Sequence, residues 1–181
     1  CRTWEGNDMT QEHSELEPVL HPEAIIAELK KNRITHIVWL PDSESNFMYQ
    51  QLLNEPDISL VPVAREGETM AIAAGLWIGG KKPVVLIQNT GLFESGDSLR
   101  GIGLDANLPL LMLIGYRGWD RHGLTKDSAA KFTEHNLYSW GVNYYLLETD
   151  QDASRISLAL EEVTNTSRPV AVLLGNEYGP S

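Results

Sequence analysis

Six apolar stretches of strand length punctuate the chain from residue 34 onward: ITHIVWL, ISLVPV, VVLIQN, LPLLMLIGY, VNYYLLE and RPVAVLL. Helical signals separate them. HPEAIIAELKKN puts Pro22 near a helix start and apolar residues at 25, 26 and 29, and ESNFMYQQLLN, the segment from residue 66 to 78, SAAKFTEHNLYSWG and DQDASRISLALEEVTN continue the pattern. ESGDSLRGIGL is a weaker helical signal. Near-continuous apolar strands alternating with helices imply a parallel sheet covered on both faces. The internal Pro62 demotes ISLVPV to a strand end or sheet edge. Residues 21–175 contain no repeat, low-complexity tract or linker, so they read as one doubly wound α/β domain of about six strands. Residues 1–20 are polar and aperiodic and read as a tail, Trp4 with them; 176–181 form a second short tail. Met9 is a candidate native start, with 1–8 an upstream extension.

Composition removes several classes of function. A length of 181 residues suits a single domain with a real core. The net charge of −11 argues against nucleic-acid binding, which needs a basic face. No apolar run reaches membrane-span length, and no secretory leader is evident. With the lone cysteine, Cys1, which cannot form an internal disulfide, these point to the cytoplasm. GxxxxGK[ST], GxGxxG, GxSxG and HExxH are all missing. The five histidines, at 13, 21, 36, 122 and 135, lack metal-ligand spacing, so no metal site is expected; His36, inside a strand, reads as a satisfied core or edge residue.

Ligands of doubly wound sheets sit at the carboxyl ends of the strands. The turns to inspect are therefore PDSES (41–45), AREGE (64–68), NTGLFESGDS (89–98) and YRGWDRHGLTKDS (116–128). Glu66 and Glu68 open a helix that is otherwise uncharged to residue 78 and apolar on every face, the mark of a buried helix. Two readings of Glu66 stand on pattern alone: a carboxylate favoured by the helix N-terminus, or an acid turned into a site and sharing a proton with a ligand nitrogen. In the third turn, Ser95 or Asp97 reads as a helix cap. The fourth turn is long and gathers Arg117, Arg121, His122 and Lys126, as a solvated charge run or as a functional loop.

Taken together, PDS at 41–43, Arg65-Glu66 before an Ala/Gly-rich helix, GGKKPVVLIQNTGL at 79–92 and PLLMLIGYRG at 109–118 resemble the pyrimidine-binding (PYR) domain of thiamine-diphosphate-dependent decarboxylases. The similarity covers about residues 21–175. It runs toward the branch holding phosphonopyruvate decarboxylase and the alpha subunit of sulfopyruvate decarboxylase. The resemblance implies that Glu66 bonds N1′ of the cofactor's aminopyrimidine and so is catalytic. It places Thr90, Gly91 and Leu92 at the turn approaching the cofactor ring. Asp42 and Ser43 fall on the substrate side, Ser43 having a helix N-cap for 44–53 as its alternative role. His122 lies where relatives carry an active-site histidine. Arg117 is either a substrate-anion contact or a structural ion pair.

The branch pattern is broken where Phe93-Glu94 replace Gly-Asn and where Asp97 replaces a later Asn. A carboxylate there would repel an anionic substrate. The GDG…N motif that holds diphosphate and Mg²⁺ in the partner (PP) domain does not occur. The resemblance therefore implies an alpha subunit that needs a PP-domain beta subunit, with thiamine diphosphate across the interface. The expected reaction is decarboxylation of 3-sulfopyruvate to sulfoacetaldehyde. The alternatives are phosphonopyruvate decarboxylase, another split 2-oxo acid decarboxylase or synthase, and a non-catalytic PYR-fold regulatory or assembly partner.

Overall fold

Pro22 starts the first helix because its missing N–H would have no partner in the opening turn: α1 (Pro22–Lys31) buries Ile25, Ile26 and Leu29. The computed structural model describes residues 19–43, 45–120 and 123–175. After α1 come β1 (His36–Trp39), a 3₁₀ turn (Asn46–Met48) running into α2 (Tyr49–Leu53), β2 (Ser59–Pro62), α3 (Gly67–Ile78) and β3 (Pro83–Gln88). Next are α4 (Asn89–Glu94), α5 (Gly96–Ser98), a π-helical segment (Leu99–Asp105) and β4 (Leu111–Gly115). A hairpin of β5 (Trp119–Asp120) and β6 (Gly123–Leu124), then α6 (Ser128–Trp140), β7 (Asn143–Leu147), a 3₁₀ turn (Asp150–Asp152), α7 (Arg155–Thr166) and β8 (Val170–Leu174) complete the order.

All six expected strands form, and they pair in parallel in the order β2-β1-β3-β4-β8-β7. The central strands are buried on both faces, which is why their sequences run apolar without alternation. Ile37, Leu86, Leu113 and Val172 pack with α1, α2 and α7. Val38, Val85, Ile87, Met112 and Ile114 pack with α3, α4 and α6. Pro62 ends β2 at the sheet edge, where its missing donor costs no ladder bond. The chain moves outward from β1 to β2, then back across to β3. The strand order therefore reverses at β1/β3, and the turns after these strands diverge there.

Several expectations change. Leu20, assigned to the leading tail, is 1% exposed and belongs to the core. Helix α3 is not buried all round: Thr69, Met70, Ala73 and Ala74 face inward, whereas Ala71, Gly75, Trp77 and Ile78 are exposed. Within this chain only one side of α3 has a sheet to cover it. Within the long turn after β4, β5 and β6 pair as an antiparallel hairpin. His36 is half-buried, with its ring bonded to the Thr35 hydroxyl, as a satisfied strand residue should be.

Glu134 on α6 ties that helix to the sheet. Its carboxylate accepts from Tyr116, just beyond β4, at 2.8 Å and from Tyr144 on β7 at 2.6 Å. Burial first, then the Glu134 carboxylate, pushes both phenols up, Tyr144 to about 12. Between pH 10 and 12 the unfolded chain loses a Tyr144 proton that the folded chain keeps, so stability falls as pH rises through that window. Tyr144→Phe should lose about 1 kcal/mol at pH 8 and show a shallower decline from pH 10 to 12 in urea melts.

Candidate functional site

Helix α3 begins directly behind the turn that leaves β2, and three acids cluster there. Two of them serve the helix. Glu94, at the end of α4, accepts from the Gly67 amide and from Arg65 Nε, and the Glu68 carboxylate accepts from the Ala64 amide at 3.2 Å. The third, Glu66, occupies the N-cap position with helical dihedrals (φ −62°, ψ −35°) and no side-chain cap bond. Its carboxylate makes no hydrogen bond or ion pair among the described residues. The electrostatic demand of the helix N-terminus is met by Glu94 and Glu68, which leaves Glu66 free to do something else.

Glu66 is half-buried and lies against the turn that follows β3. A Cβ built on Gly91 would sit 2.4 Å from Glu66 Cγ and 2.9 Å from Oε1, far inside contact distance. Only glycine lets the two segments meet this way. Helix α4 starts at Asn89 with no intervening loop, so the glycine-bearing turn expected at 89–98 is already helical. Thr90 is half-buried, whereas Leu92 is fully buried among the apolar side chains of the α3/α6 face. Neither Ser95 nor Asp97 acts as the expected cap: the buried Ser95 hydroxyl donates to the Leu92 carbonyl, and Asp97 pairs with Arg100. Ser95 does stand at the N-cap position of the short α5, but its hydroxyl is turned back to Leu92 and makes no cap bond there.

Asn89 fixes this turn in place. Fully buried, it donates through Nδ2 to the Arg117 carbonyl and to Thr133 Oγ1, each at 2.9 Å. It thereby ties the β3 turn to the β4 turn and to α6. The buried Gln88 Oε1 and Asn89 Oδ1 have no partner among the described residues, an unusual cost placed at the carboxyl end of β3. Sequence reading passed over Asn89, and the only available signal was an amide following an apolar strand.

Arg117 donates to Asp127 at 2.8 Å, the geometry of the structural ion pair, with its side chain still 49% exposed. Asp127 caps α6 by accepting from the Ala129 amide. That amide first, then Arg117, holds its carboxyl below the usual range. After β1, Asp42 accepts from the Ser45 amide and the buried Ser45 hydroxyl accepts from the Trp39 indole. Ser43 is exposed in the turn, and its alternative role as helix cap is not realised. The helical turn starts only at Asn46, and Ser45 stands at the cap position. His122 and Arg121 lie outside the described residues.

Two clefts flank these turns. One of about 590 Å³ runs between the start of α3 and α5, lined by Arg65, Glu68, Glu94, Asp97 and Arg100. The other, about 430 Å³, is lined mainly by apolar side chains including Trp39, Pro41, Tyr49, Leu53 and Pro62. Among the described residues, no three His, Cys, Asp or Glu side chains assemble as a metal site.

The six-stranded parallel sheet that reverses its strand order at β1/β3 places the chain among doubly wound α/β proteins. No protein-family model matches it, but individual relatives do. Sulfopyruvate decarboxylase subunit alpha from Methanothermobacter thermautotrophicus is 32% identical over 158 residues, covering 86% of this chain and 96% of that protein. The subunit alpha from Methanococcus maripaludis is 25% identical over 86% of this chain and 95% of its own length. The chain belongs to the sulfopyruvate decarboxylase alpha-subunit family. Phosphonopyruvate decarboxylase from Streptomyces viridochromogenes is 28% identical over 52% of this chain and 24% of its own. Among solved structures, a 2-oxoglutarate:ferredoxin oxidoreductase from Magnetococcus marinus superposes with a TM-score of 0.65 at 19% identity. That match covers 84% of this chain but only 28% of the oxidoreductase, and it shows the shared fold.

The Gly91 contact predicts a contrast between two glycines. Gly91→Ala should destabilise by about 1–3 kcal/mol through overpacking against Glu66. Gly75→Ala, whose added Cβ meets nothing within 4 Å, should stabilise the isolated chain by about 0.5–1 kcal/mol. Denaturant melts of both variants check this.

Proposed function

We propose that this chain is the alpha subunit of a two-subunit, thiamine-diphosphate-dependent decarboxylase. It would act in the cytoplasm on 3-sulfopyruvate, giving sulfoacetaldehyde and CO₂. The observation that carries the reading is Glu66: a half-buried carboxylate, released from capping its own helix and held against Gly91. The residues present suit the aminopyrimidine of the cofactor. Glu66 would bond its ring nitrogen, seated by the missing side chain of Gly91, with the half-buried Thr90 beside it facing the ring. The unpartnered Gln88 Oε1 is a buried acceptor at the same strand end. When bound, the cofactor supplies an electron sink for the carbon that loses CO₂.

The remaining roles rest on the family resemblance. Asp42 and Ser43 sit on the turn after β1, beside the strand reversal, as proposed substrate contacts. Arg117 is the proposed reader of the substrate anion and His122 the proposed proton carrier. Glu94, which replaces a neutral residue of the branch pattern, is offset by Arg65 and the Gly67 amide, which weakens its repulsion of an anionic substrate. Diphosphate and Mg²⁺ would be held by the partner PP-domain subunit. In support, the sulfopyruvate decarboxylase from Methanosarcina acetivorans is 32% identical, and this chain spans 40% of its length. A longer protein thus carries room for the second domain. Phosphonopyruvate is the second candidate substrate, supported by relatives matching about half the chain. The half-buried Phe93 is what favours a non-catalytic partner instead.

The test is reconstitution with the partner chain carrying the GDG…N sequence, assayed for thiamine-diphosphate binding and for turnover of sulfopyruvate, phosphonopyruvate and pyruvate. Sulfopyruvate should be preferred. Glu66→Gln should lower turnover about 10²–10⁴-fold with an unchanged melting temperature. Wild-type turnover in that variant would overturn the assignment.

A further inference from the structure

Helix α4 touches the turn that carries Glu66 at three successive residues. Glu94 accepts from Arg65 Nε on one side of Glu66 and from the Gly67 amide on the other. Gly91, one turn back along α4, lies against Glu66 itself. A Cβ on Gly67 would stand 3.1 Å from Glu94 Oε2, so the bare residue lets the carboxylate come this close. The next two amides of α3 are already engaged, Glu68 with the Arg65 carbonyl at 3.1 Å and Thr69 with the Glu66 carbonyl at 2.9 Å. The Gly67 amide is left for a side chain, and Glu94 has taken it.

We propose that Glu94 is a positioning residue: it occupies Arg65 and the Gly67 amide so that Glu66 cannot, and thereby keeps the Glu66 carboxylate turned to its ligand. The inference rests on the reading of Glu66 given above. Without Glu94, the Gly67 amide and the Arg65 guanidinium both lose their acceptor, and leaving such donors unmet is costly. Two other carboxylates belong to the same turn. Glu68 is held by the Ala64 amide at 3.2 Å, whereas Glu66 makes no bond among the described residues. Glu66 is therefore the acid that turns in, drawn by the positive end of α3. Once turned in, it is withdrawn from any ligand nitrogen. The branch pattern has a neutral residue at position 94, so the resemblance gives this carboxylate no role except to repel the substrate. The two contacts on either side of Glu66 give it one.

Two measurements separate this role from that of a merely structural bond. In thermal melts of the isolated chain, Glu66→Gln should leave the midpoint unchanged when Glu94 is present. In the Glu94→Ala background, where Glu66 has become the cap, the same change should lower the midpoint by about 2–4 °C. In the chain reconstituted with the GDG…N partner, Glu94→Ala should raise the dissociation constant of thiamine diphosphate at least tenfold. Glu94→Gln keeps an acceptor for the Gly67 amide but no charge for Arg65, and it should lose less. Should Glu94→Ala not fold, Glu94→Gln carries the same pair of melts, with Arg65 the group released to Glu66. Equal shifts in both backgrounds, the additive result, would overturn the capping contest and leave the cofactor role of Glu66 standing. Coupled melts with wild-type cofactor affinity in Glu94→Ala would overturn the positioning role. Wild-type affinity and turnover in Glu66→Gln alone would overturn the cofactor reading, and with it the positioning role.

Discussion

Glu94 reaches back from the end of α4 to the first amide of α3 and to Arg65, and that contact sets the chemical character of the site. A helix N-terminus draws in whichever carboxylate is nearest, and by sequence the nearest is Glu66. Because a residue 28 positions later fills that role, Glu66 keeps both oxygens unengaged. Its side chain then runs along Gly91, where any larger residue would push it aside. The availability of one acid is thus a consequence of the placement of another. The substitution that seems most damaging to the branch pattern, Glu94 for a neutral residue, acts here as part of the support.

That support depends on the sheet. Parallel pairing brings the carboxyl ends of β1, β2, β3 and β4 to one edge, and crossing back from β2 to β3 carries α3 over the reversal point. Asn89 then joins two of the turns at that edge by bonding the Arg117 carbonyl and Thr133. With the Arg117–Asp127 pair and the Glu134 bonds to two tyrosines, the β4 turn, α6 and the β3 turn form one connected frame. The site is assembled from short local turns, each held by a residue distant in sequence.

Much of this was legible in advance. The six strands, the edge position of β2 and the helix starting at Pro22 all follow from apolar period and proline chemistry. Other points were not. The burial of α3 was overestimated because an all-apolar helix signals two covered sides and cannot say whether the second cover belongs to the same chain. Ser43 and Ser95 looked like caps because capping residues are recognised by type, but the helical turn after β1 starts only at Asn46, and Ser95, though at the N-cap position of α5, spends its hydroxyl on the Leu92 carbonyl.

By itself, the sequence determined the doubly wound class, the strand inventory and the family, because these rest on periodicity and on matched segments that local chemistry fixes. Only the tertiary structure decided which carboxylate caps α3, which stays free, whether Arg117 is paired, and which side of α3 faces outward. Each of those is a contest between groups far apart in the chain, and its outcome is set by distances of a few ångströms that only folding creates.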